Sequence, residues 1–204
     1  MRADALLRLD TAASKRSTAL LEQGIGRARR DKVALGAFAL LLGEAIRYSQ
    51  NRVVGIQDLE AKLGELGRRV GVRAFELLMW RDKNVRRETR VLQTLVFINT
   101  VVWRALFDKQ ADALGHSTEN DDEYMITDNE PDVLRYVSPP REMASFSPGA
   151  FLAGIVEAIV ACCQCPARVT AHQVPGDGMP LKTVILVKFD RAVIEREKRL
   201  EAGK

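Results

Sequence analysis

FLAGIVEAIVACCQCPARVTAH, residues 151–172, opens with thirteen positions from Phe151 to Cys163 that are apolar or small except for one charge, Glu157. A helix apolar on every side must be enclosed by protein, and a carboxylate enclosed with it needs a partner there. Arg168 and Arg73 are the candidate partners. Gly154, inside the helix, lets another backbone come close, against a propensity cost of about 1 kcal/mol relative to Ala. Pro166 stops the run, and the β-branched Val169 and Thr170 begin a strand.

Outward from that stretch, Pro175-Gly176-Asp177-Gly178 is a strong turn signal between strands at about 167–173 and 183–189, an antiparallel hairpin. A charged helix from Arg191 to Glu201 closes the chain. Upstream, Ser147 followed by Pro148 reads as an N-cap and a first-turn proline. Tyr124-Met125-Ile126 and Leu134-Arg135-Tyr136-Val137 read as short strands, in and after a polar, acidic stretch from Gly115 to Asp132. Three helices precede them. The first runs from Leu35 to Tyr48, with Phe38, Leu42 and Ile46 on its apolar face. The second runs from Gln57 to Trp80 on the stripe Leu59, Leu63, Leu66, Val70. Gly64, Gly67 and Gly71 trail that stripe by one position and form a parallel row. Three glycines cost about 3 kcal/mol in propensity, which a close helix–helix approach offsets; tolerance of glycine on a solvent face is the bland alternative. Val91 to Phe107 is a third helix, apolar nearly all round. Either it is the central element of the domain, the plainer reading, or its second face meets a partner. The order predicts an α+β fold, with helices packed on a small antiparallel sheet.

The charge is unevenly placed. Residues 1–32 hold eight Lys or Arg and four Asp or Glu, so the net +4 of the 204-residue chain lies in this arm, and residues 33–204, which contain the domain at 33–201, balance to zero. A nucleic-acid role does not follow from the high pI, since aromatics are 6% and mostly at core positions. The first 30 residues lack the apolar core of a secretory signal, and Asp4, Asp10 and Glu22 argue against a transit peptide. The longest membrane candidate, Val91 to Phe107, contains Gln93, Asn99 and Arg104 and is shorter than the roughly 20 residues of a span. The chain reads as cytosolic.

Chemistry is sparse. Cys162, Cys163 and Cys165 are too few and too close for a disulfide framework, and a zinc site would lack ligands beyond His172. They read as small core residues. No phosphate-binding glycine loop, nucleophile elbow or metalloprotease signature is present. Glu157 in its apolar setting is where a general acid would arise, but no second catalytic group accompanies it, so a buried ion pair is the simpler reading. The basic turn from Arg81 to Arg87 reads as a solvated connection. No metal and no cofactor are expected.

Five stretches together resemble a known family: VALGAFALLLGEAIRYSQNRV (33–53), LGELGRRVGVRAFELL (63–78), RRETRVLQTLVFINTVVWRALF (86–107), AGIVEAIV (153–160) and PARVTAH (166–172). They are similar to the small subunits of TRAPP, the transport protein particle that tethers vesicles and activates a Rab GTPase. The resemblance covers roughly Val33 to Lys198. It implies the α+β fold and a non-catalytic scaffold that bridges subunits 3 and 2 of the complex in ER-to-Golgi transport. It also implies contact with the Rab GTPase only through the assembled complex, shared use by secretory and autophagic forms, and peripheral residence on cis-Golgi and endoplasmic reticulum membranes. In the family the first two helices take part in subunit pairing, which makes Phe38, Leu42, Ile46, Leu63, Leu66 and Val70 the expected partner interface. A second expectation from the same fold is an apolar ligand, an acyl chain or small molecule, in a tunnel among the helices around Gly154. Three departures stand out. Subunit 3 carries an acylated cysteine near the start of its second helix, whereas this chain has no Cys before Cys162. Gly36 stands where relatives place Ser, and the hairpin loop at 174–181 is longer than expected.

Overall fold

The computed structural model describes residues 34–81, 88–143, 145–176 and 178–202. The basic arm at 1–32 and most of the basic turn after Arg81 lie outside them. The first helix, α1 (Leu35–Gln50), turns Leu42 and Ser49 inward, and the Ser49 hydroxyl donates to Ala45 O at 2.8 Å. A short corner follows, where Arg52 stacks over the Tyr48 ring at 3.5 Å. Then α2 (Ile56–Arg81) runs for 26 residues.

The third apolar segment is one rod in three parts: α3 (Val91–Phe97), a π-helical stretch at Ile98–Val102, and α4 (Trp103–Phe107). Dihedrals at both junctions stay right-handed helical, and the rod ends where Asp108 turns left-handed at φ 61°. The wider π turn was not visible in the apolar spacing. It leaves Ile98, Val102 and Trp103 all fully buried.

Strands β1 (Ala113–His116) and β2 (Glu123–Asp128) form a hairpin. Helix α5 (Ala150–Cys162) precedes the second hairpin, β3 (Ala167–Gln173) and β4 (Thr183–Phe189), and α6 (Arg191–Ala202) follows it. The four strands form one antiparallel sheet in the order β1-β2-β4-β3. The last strand therefore inserts between the two hairpins and pairs with β2 from Glu123↔Lys188 to Asp128↔Thr183. Thr183, Ile185, Val187 and Phe189 of β4 turn to the helices and are buried; Val184, Leu186 and Lys188 turn to the opposite face.

Two expectations are corrected. The stretch Leu134–Val137 is not a strand. Its amides close tight turns, Leu134 N–H to Pro131 O at 3.0 Å and Val137 N–H to Leu134 O at 3.0 Å, and Leu134 is buried as an anchor. The neighbour of β2 is Ala113–His116 instead, in and before the stretch read as loop. Ser147 is not an N-cap either. Ser147–Ala150 is itself a turn, with Gly149 already helical in dihedral, so α5 begins at Ala150 without a side-chain cap. The Ser147 amide donates instead to Glu60 Oε1 of α2 at 2.7 Å.

The apolar helix is enclosed. Nine of the thirteen residues of α5 are buried between α2 on one side and the sheet on the other. This makes α5 the central element rather than the Val91–Phe107 rod, whose second face leaves Leu92 and Val96 open. The glycine row faces α5. A Cβ on Gly67 would collide with the carbonyl of Phe151 and sit 3.2 Å from Gly154 Cα. One on Gly71 would sit 2.7 Å from Ile155 O, and one on Gly154 would collide with the carbonyl of Gly64. The close approach expected of the row is thus met inside this chain, backbone on backbone. It leaves no tunnel between these two helices at Gly154.

Candidate partner-binding surface

The stripe of α2 begins buried and ends open. Leu59 and Leu63 lie under Phe146, with Ile46 and Val53 packed against them. Two turns further on the same face, Leu66 and Val70 are 36% and 37% exposed. The stripe continues to Leu77, which is 42% exposed, because residues spaced by 4, 7 and 11 return to within about 40° of one azimuth on a helix of 3.6 residues per turn. Arg73 stands on the same face as Val70 and Leu77. Leu40 and Leu41 on α1 stand out further, at 78% and 68%. Leu66, Val70 and Leu77 thus set three partly exposed apolar side chains on one face of α2, where a lone exposed leucine would mark nothing.

The six residues expected at an interface separate into three groups. Leu42 joins the main core beside Phe75, and Leu63 the smaller one, so both are taken up by this chain's own interior. Phe38 and Ile46 are half-buried along the edges of those cores. Leu66 and Val70 are open. Leu77, Leu40 and Leu41 are further exposed apolar residues outside the expected set. Leu77 was legible as the next member of the stripe, whereas Leu40 and Leu41 sit beside the apolar face of α1 and only burial distinguishes them.

Charges flank the open stripe in pairs. Glu65 accepts from Lys62 Nζ at 3.0 Å and Arg69 Nη2 at 2.6 Å, and these two bonds, Lys62's first, hold its carboxyl below the usual range. Arg73 and Glu76 stand 3.7 Å apart. Such exposed pairs contribute little to stability. They keep the rim of the stripe polar, the arrangement of an interface with an apolar centre.

The residues weighed for chemistry resolve into structure. Glu157 is only partly enclosed, and its partner is Arg68 at 3.3 Å, neither Arg168 nor Arg73. Helix α2 crosses α5 closely enough at the glycines to bring Arg68 over Glu157, while Arg168 lies on the far face of the sheet. Cys163 and Cys165 are buried core residues. His172 faces away from them and hydrogen-bonds Thr170 at 3.0 Å. Among the described residues no group of three His, Cys, Asp or Glu is close enough to hold a metal, and no helix is long and apolar enough to cross a membrane. The most enclosed polar network is one the sequence did not suggest. Asp128 Oδ2 accepts from the buried Trp103 Nε1 at 3.0 Å, and Oδ1 accepts from Lys109 Nζ at 2.6 Å and Glu130 N at 3.1 Å.

An all-antiparallel sheet carrying a buried helix, with partly exposed apolar residues along α2, is the α+β architecture that the sequence predicts. The chain belongs to the transport protein particle (TRAPP) component family, whose model matches residues 38–190. It is 47% identical to TRAPP complex subunit 5 of Dictyostelium discoideum over 168 residues, 82% of this chain and 90% of that one. It is 39% identical to the human subunit 5 over 193 residues, 95% and 99% of the two chains. Among solved structures it is similar to TRAPP complex subunit 3 of Naegleria fowleri, a protein crystallised covalently bound to palmitic acid. That likeness, with a TM-score of 0.66 over 77% of this chain and 95% of the other at 15% identity, concerns the fold.

Proposed function

We propose that this chain is a non-catalytic scaffold subunit of a TRAPP complex, bridging subunits 3 and 2 in vesicle tethering and Rab guanine-nucleotide exchange between the endoplasmic reticulum and the Golgi. The open stripe Leu66, Val70, Leu77 carries the reading. These side chains keep more than a third of their surface in water, and covering that remainder is worth roughly 0.5–1 kcal/mol each. The mechanism is shape: apolar helical faces left open in the single chain are covered by neighbouring subunits. The Rab GTPase and the membrane are reached through the assembly, at the cis-Golgi and endoplasmic reticulum.

The test is light scattering after size exclusion, on the full chain alone and co-expressed with its TRAPP subunits 3 and 2. The expected result is self-association of the chain alone and a discrete heteromer with the partners. Val70→Asp with Leu77→Asp, both on exposed positions, should abolish the heteromer and leave the circular dichroism spectrum unchanged. A clean monomer that ignores both partners would refute the scaffold reading.

A further inference from the structure

Among the described residues strand β3 has one neighbour, β4, and its other side is a free edge. The ladder from Ala167↔Phe189 to Gln173↔Thr183 runs seven residues without a bulge. Val174 N–H donates to Lys182 O at 2.9 Å and Asp190 N–H to Pro166 O at 3.1 Å. Bonded pairs alternate along an antiparallel ladder, so Arg168, Thr170 and His172 direct their backbone groups to β4. The N–H and C=O groups of Ala167, Val169, Ala171 and Gln173 therefore point outward. Among the described residues they have no hydrogen-bond partner. Edge strands are commonly blunted by an internal proline, a bulge or shortness. Here the prolines, Pro166 and Pro175, stand only at the ends.

The charge along this edge is uncompensated. On the sheet face turned away from α5, one cross-strand row reads Arg168, Lys188, Glu123. Lys188 is held by Glu123 at 2.7 Å, with Asp122 at 3.8 Å. Arg168 stands directly opposite Lys188, exposed, and has no carboxylate within salt-bridge distance among the described residues. Like charges placed opposite each other destabilise a sheet, and an anion on the far side of Arg168 would relieve this. The next row is Thr170, Leu186, Met125, which extends an apolar strip to the edge.

We propose that the free edge of β3 accepts an extended, acidic segment of a partner protein as a fifth strand, with a carboxylate set opposite Arg168. The outward amides and carbonyls supply main-chain bonds, and the alternate side chains supply selectivity, the usual division in strand addition. A second copy of β3 is the wrong occupant. The strand Ala167–Gln173 contains no acidic residue, so no register of self-pairing puts an anion against Arg168. This edge is separate from the α2 stripe, so either proposal can fail without the other.

The probe is an acetylated, amidated heptapeptide, Thr-Glu-Val-Thr-Val-Glu-Thr, whose palindromic order suits either strand direction. It is titrated into the isotope-labelled full chain and followed by amide resonances. Shifts and exchange protection should concentrate at Ala167, Val169, Ala171 and Gln173, with a dissociation constant of roughly 1 mM, as a single short strand allows. Arg168→Glu should weaken binding about tenfold and Arg168→Gln by less, whereas a peptide with Lys in place of both Glu should prefer the Arg168→Glu chain. Equal binding of the acidic and basic peptides, or no response at the four outward amides, would overturn the proposal. Concentration-dependent protection of those amides without peptide would overturn it too, by making a second copy the occupant.

Discussion

Gly154→Ala separates two opposed effects. On an isolated helix the change is favourable by about 1 kcal/mol, because alanine loses less backbone freedom on folding. In this fold the new Cβ would strike the carbonyl of Gly64, 2.8 Å from its carbon and 3.0 Å from Arg68 N. All of these are backbone atoms in the middle of a helix, which no rotamer change can move. Relief requires α2 and α5 to separate by on the order of 1 Å, loosening the contacts that bury the outer face of α5. Overpacking costs about 1–3 kcal/mol, and the rigidity of the obstacle places this case at the upper end, for a net loss of about 2 kcal/mol. For a domain of this size that is a fall in melting temperature of roughly 4–8 °C. Gly67→Ala should behave alike, since its Cβ would meet the Phe151 carbonyl. Gly64→Ala is the control, because its Cβ would meet only Ala150 O at an ordinary 3.7 Å. It should be neutral or stabilising by up to about 1 kcal/mol. The assay is urea unfolding of the full chain, reading the midpoint at constant slope. If Gly154→Ala and Gly67→Ala stabilise as Gly64→Ala does, the glycines do not mediate a backbone contact and the reasoning fails.

Two further outcomes are expected. Asp128→Ala removes the acceptor of the buried Trp103 Nε1, while Lys109 Nζ keeps the Glu130 carbonyl and partial access to water, so the unsatisfied indole donor should cost about 1–3 kcal/mol; a thermal melt following tryptophan fluorescence checks it, and no measurable loss would show the network to be dispensable. Tyr124 is held above the ordinary phenol range, first by burial and then by the negative charges of Glu197, Glu201 and Asp121. Its raised folded value means a contribution to stability that is complete below the unfolded value near pH 10 and lost as pH rises through the folded one. In an ultraviolet titration Tyr124 should ionise above the ordinary phenol range, and Tyr124→Phe should remove that late step.

Much of the fold was legible because the signals are local. The apolar run from Phe151, the period of α2 and the Pro-Gly turn between β3 and β4 each announce an element through its own residues. Ala113–His116 was not legible: four residues with a central glycine carry no alternation, and they become a strand only because β2 offers them a ladder. Leu134–Val137 misled in the opposite sense, since an apolar run is buried equally well by a turn that anchors it. The candidate surface was half legible. Leu63 and Leu66 belong to one stripe in sequence, yet Phe146, far away in the chain, covers the first and not the second.

The sequence by itself determined that the helix from Phe151 must be enclosed, and it offered the glycine row of α2 as a close approach beside the alternative of a solvent face. These follow from composition and period, which state which face of an element is apolar. The tertiary structure alone decided what covers each face: that α5 meets the glycine row, that Arg68 and not Arg168 reaches Glu157, and that β4 takes the centre of the sheet and leaves the edge of β3 free. Periodicity carries no address for the partner. Contacts between residues distant in the chain are chosen by the packing of whole elements, and what that packing leaves uncovered is the surface where function is to be tested.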